Sequence, residues 1–101
     1  MKETIPAKKS MKNWYERVPK VELHLHLEGA IPYEVLWELV RKYGGDPQAP
    51  DQAALLRKFE YKDFPHFIEK WIWMIQFLRE YEDFTLIAEA VGHDLASQNI
   101  R

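Results

Sequence analysis

Val21-Glu22-Leu23-His24-Leu25-His26-Leu27-Glu28-Gly29-Ala30 constrains this chain more than any other stretch. Read with period two, it sets Val21, Leu23, Leu25 and Leu27 on one face and Glu22, His24, His26 and Glu28 on the other. That pattern predicts a strand from about Lys20 to Leu27, with Pro19 biasing the chain towards extended backbone before it and Gly29 turning the chain after it. A strand cannot stand alone, because its backbone donors and acceptors need neighbours. On such a strand the two imidazoles of the His-x-His pair point the same way, about 6.6 Å apart at the backbone, a spacing suited to one shared ion. A partly buried, hydrogen-bonded histidine pair has the same pattern, so spacing leaves both readings open. Glu22 and Glu28 add carboxylates that can ligate a metal or orient a ligating ring.

Everything after this stretch reads as helix. Pro32 to Tyr43 carries Val35, Leu36, Leu39, Val40 and Tyr43 at helical spacing, and Gly44-Gly45 closes it. Asp51 caps a short helix with Leu55, Leu56 and Phe59 inward. Asp63 caps a longer one from Phe64 to about Glu80, whose apolar residues cover more than one face, so it is buried on two sides or lines a pocket. Asp83 caps a final helix to about Gln98, with Arg79, Glu80, Glu82 and Asp83 read as a solvated turn. Asn99 closes that helix in the left-handed region, and Ile100-Arg101 begins another strand. His66 and His93 read as rim and surface histidines. Met1 to Asn13, polar and lysine-rich, reads as a loose flexible tail.

Composition excludes several chemistries. With no cysteine there is no disulfide, thiolate metal site or cysteine nucleophile, so any metal site uses histidine and carboxylate. Fourteen basic and 16 acidic residues are well mixed, for a net charge of −2, which leaves no footprint for nucleic acid or an anionic membrane. The longest apolar run, Trp71 to Ile75, is far too short to span a bilayer, and no signal-peptide pattern opens the chain, so a soluble cytoplasmic protein is expected. A hydrophobic fraction of 47% with 14% aromatics belongs to a folding sequence. No feature sets an oligomeric state.

Val18-Pro19-Lys20-Val21-Glu22-Leu23-His24-Leu25-His26-Leu27-Glu28-Gly29-Ala30 resembles the opening strand of the adenosine deaminase family, within the metal-dependent amidohydrolases. The likeness continues more loosely through Asp63-Phe64-Pro65-His66-Phe67 to Ser97-Gln98-Asn99-Ile100-Arg101. It implies an α/β fold, the first β/α unit and helical excursion of a (β/α)8 TIM barrel, whose site lies at the C-terminal ends of the strands. Residues 14–101 would be the N-terminal portion of that barrel, mostly helical, because a barrel takes roughly 250 residues.

By the same resemblance, His24 and His26 ligate Zn2+, Glu28 contacts the substrate, and Gly29 lets backbone approach the ligand. Phe64, Phe67, Ile68 and Trp71 correspond to the segment that walls the purine. The implied reaction is hydrolytic deamination of adenosine to inosine and ammonia, with zinc lowering the pKa of its water to about 7. A further zinc histidine, a zinc aspartate, the glutamate that protonates the ring and the histidine that orients water belong to later strands. No catalytic residue therefore lies in these 101 residues, which alone are expected to be inactive and to need the remainder of the polypeptide as partner.

Glu28 stands where adenosine-specific members carry Asp, a feature of relatives acting on free adenine, so adenine or a modified adenosine is an alternative substrate. Two other readings compete. Metal-dependent phosphoesterases also use a strand His-x-His, but their following loop is basic, whereas this one is Gly29-Ala30-Ile31-Pro32. A non-catalytic helical interaction module would fold cooperatively by itself without zinc. Cytidine-type zinc deaminases are excluded by the missing cysteines.

Overall fold

The computed structural model describes residues 13–101. The tail expected at Met1 to Asn13 falls outside this range except for Asn13, which opens a helical turn over 13–17. Four α-helices follow: α1 (Tyr33–Lys42), α2 (Gln52–Arg57), α3 (Phe64–Ile75) and α4 (Tyr81–Ser97), preceded by a 3-10 turn at Leu27–Ala30. The start signals of α2 and α3 act as their chemistry dictates. The Asp51 carboxylate accepts from Ala54 N at 2.8 Å, and that of Asp63 accepts from His66 N at 2.9 Å. At the end of α1, Gly44 and Gly45 adopt φ of 90° and 81°. Gly44 N then donates to Arg41 O at 3.1 Å and Gly45 N to Val40 O at 2.8 Å, satisfying carbonyls the helix leaves open.

Leu36, Leu39 and Val40 from α1 meet Leu55 from α2, Trp73 and Met74 from α3, Phe77 just beyond it and Ile87 from α4 in one core. Each such side chain contributes about 1.5–3 kcal/mol by leaving water. Leu56, expected inward, is 47% exposed; Ala54 and Leu55 are the residues α2 buries. On α3, Trp73 and Met74 are buried while Phe64, Ile68, Ile72 and Ile75 stay exposed, so this helix is covered on one side only.

Two boundaries differ from the sequence reading, for one reason. α3 stops at Ile75 rather than near Glu80, and α4 begins at Tyr81 with Glu80, not Asp83, as its N-cap. Asp83 Oδ2 accepts from Arg79 N and Glu80 N, both at 3.0 Å, which takes those two donors out of any continuation of α3. Asp83 itself is 1% exposed, so the solvated turn expected here is a buried polar centre. Its other carboxylate contacts are Lys42 Nζ, at 2.5 Å, and Tyr43 Oη.

The expected strand is the larger correction. Residues 21–26 form a segment that bends at Leu23 and has no ladder partners among the described residues, and Leu27 already belongs to the 3-10 turn. Its apolar set is exposed: Val21 by 74%, Leu23 by 94% and Leu25 by 43%. Period two arranges a strand's faces, but only a neighbouring sheet buries one of them. One pairing does form. Lys20 bridges Ile100 in parallel, with Lys20 N donating to Asn99 O at 2.9 Å and Arg101 N to Lys20 O at 2.8 Å. Asn99, at φ 59°, turns the chain out of α4 into this bridge. A parallel bridge closed over an intervening helical excursion is how a β/α repeat begins, and here it meets the residues expected to start a second strand. Among the described residues no helix is long and apolar enough to cross a membrane.

Candidate functional site

His24 and His26 follow the bend at Leu23, two residues apart, and their rings converge. The ring centroids are 5.0 Å apart, and His24 Nε2 lies 3.3 Å from His26 Nε2. Two nitrogens bound to one tetrahedral zinc at about 2.0–2.1 Å would stand about 3.3–3.4 Å from each other. That separation matches the edge of a zinc coordination tetrahedron, and it is equally that of a hydrogen bond from one neutral ring to the other. Two ligands are fewer than a catalytic zinc needs, and among the described residues no third histidine or carboxylate joins them. Glu22 does not orient a ring: its Oε1 accepts from the backbone N of His24, at 3.4 Å.

Beside the pair lies an aromatic cleft of about 390 Å³. His26 meets Trp71 edge-to-face at 6.1 Å, and a series of rings continues from there: Trp71 to Phe67 at 5.8 Å, Phe67 to Tyr61 at 5.0 Å, Tyr61 to Phe59 at 6.3 Å, and Phe59 to Tyr33 at 5.4 Å. Flat rings at such separations make walls suited to a flat ligand. Glu28, Gly29, Phe67 and Trp71 all line this cleft. Phe64 and Ile68 do not; Phe64 is 70% exposed on the outer face of α3 and reaches the cleft only through its contact with Phe67 at 6.0 Å. Tyr33 and Tyr61 line it too, as does Phe59, which the sequence assigns only to the core. Their one sequence signal is Phe59 and Tyr61 placed just before the Asp63 cap, which folds the link back over the first turn of α3. Burial among these rings, and then Tyr33, pushes the Tyr61 hydroxyl above its ordinary range.

Gly29, which lines the cleft, also has a packing role. A Cβ there would come within 2.9 Å of Trp71 Cζ3 and 3.3 Å of Cη2, so the space above Gly29 is filled by the tryptophan ring. Gly29 seats Trp71, and Trp71 in turn forms the wall next to His26. Gly29→Ala is expected to displace that ring and cost about 1–2 kcal/mol. Urea denaturation checks this, together with the Gly29→Ala/Trp71→Leu double variant, in which most of the alanine penalty disappears because the colliding ring is gone.

His66 stands outside the cleft, its Nδ1 accepting from Lys62 N at 3.1 Å, and His93 is exposed on α4.

The family model described as adenosine deaminase matches residues 19–101. An aminodeoxyfutalosine deaminase of Streptomyces coelicolor is 32% identical over 84 residues, covering 83% of this chain and 22% of that protein. Two adenine deaminases are similar over 90 residues, that of Bordetella avium at 32% identity and that of Bordetella parapertussis at 35%, each covering 89% of this chain and 28% of the relative. The chain thus spans about a quarter of the length of the curated relatives it matches. A match running from Pro19 through the histidine pair to Arg101, over the segments that build the cleft, establishes that this chain belongs to the adenosine deaminase family.

Proposed function

We propose that the polypeptide carrying this chain is a zinc-dependent hydrolase that removes the amino group at C6 of an aminopurine, with free adenine ahead of adenosine and modified adenosines. The observation that carries this reading is the pair of imidazole nitrogens 3.3 Å apart against the Trp71 wall of an aromatic cleft. Family membership supports it over the phosphoesterase and interaction-module readings. Adenine takes precedence because Glu28 lines the cleft and relatives named adenine deaminases are among the matches.

Each group has a task in this reading. His24 and His26 offer Nε2 lone pairs to one cation. When bound, the metal supplies the Lewis acidity that makes hydroxide available near pH 7. Trp71, Phe67 and Tyr61 hold a planar base by its faces and exclude water from it. Glu28, acceptor-only when ionised, takes hydrogen bonds from ring N–H or from a substituent on the base. The remaining ligands and the proton-transfer groups come from the rest of the polypeptide, which packs on exposed Val21, Leu23 and Leu25 and on the outer face of α3.

Glu28→Asp tests the substrate role. Shortening the acid by one methylene opens space beside the base, and one methylene is worth about tenfold or more in discrimination. The ratio of kcat/KM for adenine over adenosine is expected to fall by that factor in the intact enzyme. An unchanged ratio removes Glu28 from substrate contact.

A further inference from the structure

A second hollow, about 460 Å³ in volume, lies between the end of α2 and the N-terminal half of α3. Arg57, Lys58, His66 and Lys70 line it with Gln48 and Ala54, and none of these residues lines the aromatic cleft. Lysine is almost never fully buried unless it is paired. Lys58 is nevertheless only 7% exposed and forms no ion pair among the described residues. Its ammonium donates to Gln48 Oε1 at 2.6 Å and stands 4.2 Å over the Trp73 ring, both neutral partners. Burial holds this ammonium below its ordinary range, and the nearby charge of Lys70 pushes the same way, against weaker support from Asp46 and Glu69. Two cations thus share the hollow without an anion between them.

The other lining groups are donors as well. His66 Nδ1 accepts from Lys62 N, so the hydrogen of the neutral ring is on Nε2. His66 and Lys70 are one helical turn apart and share a face of α3. Arg57 brings a guanidinium from the last turn of α2. The one side-chain amide acceptor present, Gln48 Oε1, is already taken by Lys58.

The geometry points to an anion site in this hollow that takes a phosphate group, either free or carried by a phosphorylated small molecule. A carboxylate would bring one charge and two oxygens. Phosphate brings between one and two charges near pH 7 and enough oxygens for a guanidinium, two ammoniums and an imidazole N–H together.

The test is calorimetric titration of the intact protein with inorganic phosphate, at ionic strength held constant with chloride. Saturable binding is expected, and the Arg57→Gln/Lys70→Gln variant should weaken it by more than about tenfold, since two charge-assisted hydrogen bonds are lost. Both changes lie on partly or fully exposed side chains, so the fold should survive; Lys58→Met, at the buried position, should weaken binding in the same direction. Ribose 5-phosphate separates the sources: tighter binding than inorganic phosphate identifies a phosphorylated metabolite, weaker binding a free anion. No saturable response beyond chloride overturns the site. So does undiminished binding in the double variant, or binding abolished by His24→Ala, which would assign the anion to the histidine pair.

Discussion

If the complete polypeptide is the zinc hydrolase proposed above, His24→Ala and His26→Ala are each expected to strip it of its metal and to lower kcat/KM by more than about a thousandfold. Loss of groups that merely orient a ligand costs roughly 10–100-fold in affinity or activity, and removing a ligand itself costs more. Both rings are exposed, and apart from the edge-to-face contact of His26 with Trp71 neither touches the hydrophobic core, so the fold should change by no more than about 1 kcal/mol. That separation makes the result readable. Metal content by mass spectrometry and turnover should collapse together while the unfolding midpoint holds. Either variant retaining stoichiometric metal and full turnover would sink the assignment of the pair as ligands. A double variant adds little, because one remaining imidazole is no longer half of a chelate and the two losses are not additive.

The histidine pair is legible in the sequence because two residues of separation keep the rings within reach of each other even where the segment forms no strand. The caps at Asp51 and Asp63 and the Gly44-Gly45 stop were legible for a similar reason, each depending on groups within a few residues. The alternation of Val21, Leu23 and Leu25 predicts a strand, but a strand is completed only by its neighbours, and here one parallel bridge, from Lys20 to Ile100, is formed. The cleft was half legible. Phe67 and Trp71 are implied by the family resemblance of their segment, whereas Tyr33, Phe59 and Tyr61 reach it through the path of the link between α2 and α3, which no local period encodes. Gly29 was recognised as a place where a side chain cannot stand, but the occupant of that space is Trp71, some forty residues on. Asp83 was the clearest miss. Among Arg79, Glu80 and Glu82 it reads as one more surface charge, and only the return of α4 against the end of α1 places Lys42 and Tyr43 over it.

Asp83→Ala is expected to lower the unfolding free energy by about 3 kcal/mol, because a buried carboxylate leaves an ammonium, a phenol and two backbone N–H groups without their acceptor. Burial by itself would raise the Asp83 pKa, but hydrogen bonds from Lys42, Tyr43, Arg79 N and Glu80 N together outweigh it and hold the carboxyl well below the usual carboxylate range. The sign of the pH dependence follows. A group whose pKa is depressed by folding stabilises fully above its unfolded value, about 3.9, and loses that contribution as pH falls below it. Lys42 is shifted the opposite way, upward, chiefly by its hydrogen bond to Asp83, so its share is complete below about pH 10 and is lost only in strong alkali. Neither contribution changes between pH 6 and 8. Asp83→Asn keeps the shape and removes the charge, so its deficit against the wild-type protein should be constant near neutrality and should shrink steadily from about pH 4 downward. Urea midpoints across that range measure the difference. A deficit that stays constant down to pH 2 would mean that Asp83 acts through packing alone, and that the charge on the joint between α1 and α4 contributes nothing to its stability.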